Sequence, residues 1–410
     1  MSDAPATSTF ERSALFRPRT FLAGLLAGLV LCSGAARYVS SRGYHDVFTR
    51  FHIYISPEGQ YYPTLEEMCS IVRTRCRSDQ VLVIVGGNSI FNGVGQPVEK
   101  LWTGELQRQL GDRYAVVNLA FRGAYCTDGA AIVAETLRKE FPRQVYVANT
   151  GPFVQPVPIG SQPYRYLIWE AESRGLLESF AARDALIAKS RPSEYTWGEW
   201  VDVWAGAYLD RALRFRDLWN WVGYKYFFTI QNPVTPHMPR AIWARDRFDD
   251  IENDFEDTPL SLRFLPEYRD AEMKIVRGFS ATYYLRDDTG RWRISPKYLK
   301  DFNEAASAAF PADLRARTLI MLSRNSPLYL RQLTQDEMQR EDLCYSEGVK
   351  AWRSLGYGAD DYGRDYDDSD FGDRTHLTGT GGRKLAAQVA ADVQGIAAKL
   401  GYLGGGTQGP

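Results

Sequence analysis

Histidine is scarce in this chain, with only His45, His52, His237 and His376 in 410 residues. Cysteine is scarce too, and none of the five sits in a CxxC pair or a His/Cys cluster, so no zinc pattern is present and no metal or cofactor is expected. An excess of one charge is also missing. The 49 basic and 50 acidic side chains leave a net charge of -1, which excludes the basic footprint of a nucleic-acid partner. No internal repeat is visible, so a repeat architecture is not expected. Long apolar runs are missing as well, apart from one near the N-terminus.

What remains describes an ordinary folded protein. A hydrophobic share of 44% with 24% charged residues is that of a globular chain rather than a disordered one. The length suffices for one large domain or two ordinary ones. The single uncharged run, FLAGLLAGLVLCSGAA, follows Arg12, Arg17 and Arg19. Extended through Val39, it approaches the ~20 residues that a membrane-spanning helix needs. The basic flank predicts a cytoplasmic N-terminus and an exported remainder. The run reads as an uncleaved anchor or as a signal peptide cut near Ser33-Gly34-Ala35. Four cysteines lie beyond it: Cys69, Cys76, Cys126 and Cys344. Cys69 and Cys76 lie seven apart in a helix-like segment. That spacing means about 10.5 Å of rise, too far for a disulfide unless the helix breaks.

From Gln80 a strand–helix rhythm begins. Strands are predicted at 81–85, 114–120, 144–149 and 318–323. Helices are predicted at 97–111, at 127–141 with Thr127 or Asp128 near the N-cap, around 334–355, and at 379–400. Such alternation predicts an α/β fold with a parallel sheet covered on both faces. The rhythm stops between 155 and 311, where aromatic and charged residues dominate. There Trp197, Trp200, Trp204 and Tyr208 recur at helical spacing. The aromatic faces of this region can stack on sugar rings or pack as core, and the stretch RDLWNWVGYKYFF within it can lie in a membrane interface.

Ligands of open α/β sheets bind where strands end, so four loops matter. The first, Gly86-Gly87-Asn88-Ser89, lifts a serine to the sheet rim, as a turn or cap residue or as a nucleophile. The second carries Gly123, whose N–H can face a developing oxyanion. The third carries Asn149, a carboxamide that can donate a second such bond. The fourth carries Asp373 and His376, three apart, just before the closing helix. His376 is the only histidine within the strand–helix rhythm. A serine nucleophile needs a neutral imidazole, and that imidazole needs an acid to fix its tautomer. A separate stretch, GADDYGRDYDDSDFGD (358–373), holds seven aspartates. Its spacing is not that of an EF-hand, so it reads as a solvated acidic loop.

In order, Gly87-Asn88-Ser89, Gly123, Asn149 and Asp373-x-x-His376 resemble the motif blocks of the SGNH (GDSL-like) hydrolase superfamily. The resemblance covers the α/β core, about half the chain. It implies a flavodoxin-like three-layer fold, with Ser89 as nucleophile, His376 as general base and then acid, and Asp373 as its partner. It also implies an oxyanion hole from the N–H groups of Ser89 and Gly123 and the Asn149 side chain. Two positions depart from the family pattern: Asn88 stands where Asp is usual, and Thr150 follows Asn149 where Asp is usual. The implied organisation is a basic cytoplasmic region (1–20), an anchor or signal (21–39) and a leader (40–79). The core follows in two parts (80–154 and 312–402), split by an aromatic helical insertion (155–311), with a flexible tail (403–410). The implied function is an envelope serine esterase acting on acyl, chiefly acetyl, esters of a glycan or lipid. Alternatives are an O-acyltransferase of an exported polysaccharide, similar to exopolysaccharide-modifying members, and a non-catalytic scaffold or glycan-binding protein. Trp197, Trp200 and Trp204 are the expected substrate-binding residues.

Overall fold

The fold comes from a computed structural model. It describes residues 18–42, 65–154 except 122, and 266–403, with short stretches between, among them 197–198 and 255–257. Five strands form one parallel sheet: β1 (Val81–Val85), β2 (Tyr114–Asn118), β3 (Gln144–Thr150), β4 (Thr318–Ser323) and β5 (Gly358–Tyr362). Their spatial order is β5-β4-β3-β1-β2, so β1 and β3 sit side by side in the middle. Parallel neighbours need crossover connections, and helices supply them.

Residues of β1 alternate between two apolar clusters, as the two-residue period of a strand requires. Leu82 and Ile84 enter the cluster shared with α2 (Leu65–Arg75), α5 (Ala130–Leu137), α7 (Pro296–Ala309) and α8 (Gln335–Ser354). Val81, Val83 and Val85 enter the cluster shared with α4 (Trp102–Leu110), α6 (Pro266–Tyr283) and α9 (Gly379–Lys399). All five β1 residues are buried, and burial of each such side chain is worth about 1.5–3 kcal/mol. This double burial is why β1 reads as an unbroken apolar run.

Residues 266–311, at the end of the aromatic region, pack into the core. Phe302 of α7 meets Trp352 of α8 edge-on, with ring centroids 5.0 Å apart. Trp352 meets Tyr357 in the same manner at 4.9 Å, and the Tyr357 hydroxyl donates to the Ala306 carbonyl. A short antiparallel pair, Tyr284–Arg286 with Trp292–Ile294, links α6 to α7. Trp197 is 78% exposed, while Trp200 and Trp204 lie outside the described residues.

The N-terminal helix α1 (Pro18–Arg42) is long and apolar enough to cross a membrane over Pro18–Val39. Leu25, Leu26, Val30 and Leu31 on it are exposed, whereas Ala36 and Val39 are buried against the rest of the chain. Arg37 also donates to the Ala212 carbonyl at 3.1 Å. The last turns of α1 therefore rest on the folded domain.

Several expectations need correction. The 127–141 helix is α5, shorter than expected at Ala130–Leu137, with Gly129 at its N-cap directly after Asp128. Asp128 accepts from the Tyr125 N–H at 2.9 Å. The acidic stretch is not one solvated loop. Gly358–Tyr362 forms the edge strand β5, in register with β4. Five of the seven carboxylates have basic partners: Asp361 has Arg324, Asp368 has Arg331, Asp367 and Asp370 share Lys384, and Asp373 has His376. α2 runs unbroken through Cys69 and ends just before Cys76, and neither cysteine forms a disulfide, as the spacing predicts. Burial pushes the Cys76 thiol up to about 11.

Candidate active site

The site assembles at the ends of β1, β2 and β3, with one turn brought in from just before α9. At the end of β1 the Gly86 N–H donates to the Val147 carbonyl at 2.8 Å. The chain then turns sharply at Gly87, where φ is +94°. A Cβ there would lie 2.2 Å from Asn149 Oδ1, so glycine is required by both conformation and space. Asn88 caps the short helix α3 (Ser89–Asn92), its Oδ1 accepting from the Ile90 N–H at 3.0 Å. The capping role belongs to Asn88, which leaves the Ser89 hydroxyl available. Ser89 is half-buried at the first position of α3.

His376 lies 287 positions away in the chain, and its Nε2 is 2.8 Å from Ser89 Oγ. Its Nδ1 is 2.6 Å from Asp373 Oδ2. Asp373 Oδ1 accepts from the N–H groups of Thr375 and His376, both at 2.8 Å, which folds the turn around the carboxylate. The turn is closed by the Gly372 N–H donating to the His376 carbonyl at 2.8 Å, and a bridge pairs Phe371 with Leu377. Burial works against ionising Asp373. The His376 charge and the hydrogen bonds from His376 and Thr375 outweigh it and hold the carboxyl below its ordinary range. An ionised carboxylate can only accept, so Nδ1 carries the ring proton. Nε2 is then the lone pair that accepts from the Ser89 hydroxyl. Chemically this is a hydroxyl poised to lose its proton to a base that a carboxylate orients.

The expected oxyanion donors are arranged unequally. The N–H groups of Ser89 and Gly123 make no hydrogen bond to any described residue, and Gly123 is exposed with φ +72°. The loop that carries Gly123 is tied to the first loop by the Phe121 N–H, which donates to the Gly87 carbonyl at 3.0 Å. Asn149 is more committed. Its Oδ1 accepts from the Asn88 N–H at 3.0 Å, while its Nδ2 donates to Asn88 Oδ1 at 2.8 Å and to Ser323 Oγ at 3.1 Å. Its amide orientation is thereby fixed, but both Nδ2 hydrogens have protein acceptors. The longer bond, to Ser323, is the one an oxyanion can replace. Tyr362 holds Ser323 from behind, its hydroxyl donating to Ser323 Oγ at 2.6 Å.

Three contributors escaped the reading of the sequence. Ser323 lies at the end of β4, and nothing local marks it. Gln96 is fully buried and links the two halves of the site. Its Nε2 donates to the carbonyls of Leu377 and Thr378, both at 3.2 Å, and its Oε1 accepts from the Trp102 N–H at 3.0 Å. Arg374, inside the Asp373–His376 turn, pairs with Glu272 of α6 and donates to Asn325 Oδ1 at 2.6 Å. Among the described residues no cluster of three or more His, Cys, Asp or Glu is placed to hold a metal ion. Comparison with known protein families and with curated proteins found no match to this chain.

Proposed function

We propose that this chain is a membrane-tethered serine esterase of the SGNH type. It would act outside the cytoplasm on acyl, chiefly acetyl, esters of a glycan or lipid. The observation that carries the reading is the hydrogen-bonded line from Ser89 Oγ through His376 to Asp373. The strand order 2-1-3-4-5 and the two apolar clusters support the flavodoxin-like three-layer fold that this reading implies. The apolar length of α1 supports tethering, and the arginines before it support an exported domain.

In this reading Ser89 Oγ attacks the ester carbonyl while its proton passes to His376 Nε2. The carbonyl oxygen gains the negative charge, facing the N–H groups of Ser89 and Gly123 and the Asn149 amide as it leaves Ser323. The tetrahedral adduct collapses, the C–O bond to the leaving alcohol breaks, and His376 returns the proton to that alcohol. Water then attacks the acyl-serine, with His376 taking its proton and delivering it to Ser89 Oγ as the carboxylic acid departs. A sugar hydroxyl in place of water would make the same chemistry an O-acyltransferase.

Acetate release from p-nitrophenyl acetate and from an acetylated polysaccharide tests the reading. The wild-type chain releases acetate, and S89A and H376A do not. Adding a deacetylated glycan as acceptor separates water from sugar as the final nucleophile by its product. Release that persists undiminished in folded S89A overturns the reading in favour of a scaffold or glycan-binding role.

A further inference from the structure

The turn Phe255–Asp257 belongs to the stretch between β3 and α6, far in sequence from the site, yet it reaches both halves of it. The Phe255 N–H donates to the Gly95 carbonyl at 3.1 Å, in the loop that follows Ser89. The Phe255 ring lies against two glycines. A Cβ on Gly95 would fall 2.1 Å from the ring, and one on Gly372 would fall 1.7 Å from it. Either position filled by alanine would force the ring out. Gly372 immediately precedes Asp373, and its N–H closes the turn on His376.

The next residue grips the other flank. Glu256 accepts from the N–H and the hydroxyl of Thr380, both at 2.5 Å, in the first turn of α9. It also pairs with Lys100 Nζ at 3.1 Å. Burial pushes the Glu256 carboxyl up, but the bonds from Thr380 and Lys100 outweigh it and hold the group below its ordinary range. Thr380 lies four residues beyond His376. One short turn therefore presses on the Asp373–His376 segment before it and after it, and fastens both ends to the 95–100 loop beside Ser89.

We propose that Phe255 and Glu256 are positioning residues that hold the His376 imidazole on Ser89 Oγ. The catalytic consequence rests on the esterase reading, whereas the positioning itself is a property of the fold. The serine and the imidazole come from chain segments 287 residues apart, so their register depends on clamps that cross between the segments. Gln96 is the buried clamp, and Phe255–Glu256 is the outer one.

The test uses the full-length chain in detergent, with p-nitrophenyl acetate as substrate and ¹⁵N-histidine labelling for NMR. E256A and F255A are expected to lower kcat about 10-fold or more, as small misplacements of reacting groups do, with KM within about twofold. E256Q keeps an oxygen that accepts from Thr380 and recovers most of the rate. The His376 ring resonances shift in E256A and return in E256Q, a response that a purely stabilising contact would not give. If F255A fails to fold, the E256A–E256Q pair decides. Unchanged kcat and unchanged His376 resonances in folded E256A overturn the proposal. If the wild-type chain has no esterase activity, the esterase reading falls, and the His376 resonances still decide the positioning.

Discussion

Asp370 and Asp373 stand three residues apart in the same acidic stretch, and they serve opposite ends. Asp370 is 1% exposed. Its carboxylate meets Lys384 Nζ at 2.5 Å and accepts from the Asp367 N–H at 2.6 Å. Asp373 faces a group that can change charge, the His376 imidazole, whose other nitrogen faces a hydroxyl. A carboxylate paired with a permanent cation fixes a loop. A carboxylate paired with an imidazole that itself contacts a hydroxyl can, under the proposed reading, stabilise a charge that appears only as that hydroxyl gives up its proton. Distance along the chain says nothing of this difference; the partner decides it.

Substitutions can break the comparison from either side. D373N should give the largest effect. It leaves the turn's size intact but removes the acceptor that fixes the His376 tautomer, and kcat should fall about a hundredfold or more with the fold retained. Measured by steady-state hydrolysis and circular dichroism, an activity near wild type would dissolve the distinction. The pH dependence has a definite sign. Folded Asp373 titrates below its unfolded value, so its contribution to stability is present above the ordinary carboxylate range. It is lost as pH falls through the folded value, and the stability gap between wild type and D373N should close below about pH 4.

K384M attacks the other aspartate. It leaves the Asp370 carboxylate buried without its cation, and should cost about 2 kcal/mol of stability. The rate of the remaining folded protein should stay within about twofold of wild type. Thermal melts alongside kcat check both halves. A rate loss as deep as that of D373N would show that the two aspartates are not separable.

How much of this was legible follows the same division. Strands β1 to β4 are written as apolar runs because helices bury them on both faces. β5 was not legible, because GADDY is an edge strand whose acidic residues find partners from elsewhere. Asp361 pairs with Arg324, and Asp360 accepts from Gln388 on α9 at 3.1 Å. Ser89, His376 and Asp373 were legible because so few histidines compete for the role. Gln96, Ser323 and Phe255–Glu256 act through contacts between distant segments, which no local pattern encodes.

The smallest expected effect sharpens the comparison on a third aspartate, away from the site. Asp392 on α9 is pushed up to about 6 by burial and by the charge of Asp360, against the pull of Arg353. Its folded value lies above its unfolded one, so its own contribution to stability is fully present below about pH 4 and is lost as pH rises through about 6. D392N lacks that loss. It should melt about 2–4 °C higher than wild type at pH 7 and equally at pH 3.5. A midpoint below wild type at pH 7 would mean that the Asp392 charge is stabilising.

The central claim is that Ser89 is a nucleophile activated by His376 and Asp373. Incubation of the folded full-length chain with a fluorophosphonate, followed by peptide mass spectrometry, tests it most directly. The account predicts one adduct, on the peptide carrying Ser89, formed far more slowly in D373N and absent in H376A and S89A. An adduct elsewhere, equal labelling of H376A, or no adduct on the folded wild-type chain would contradict it.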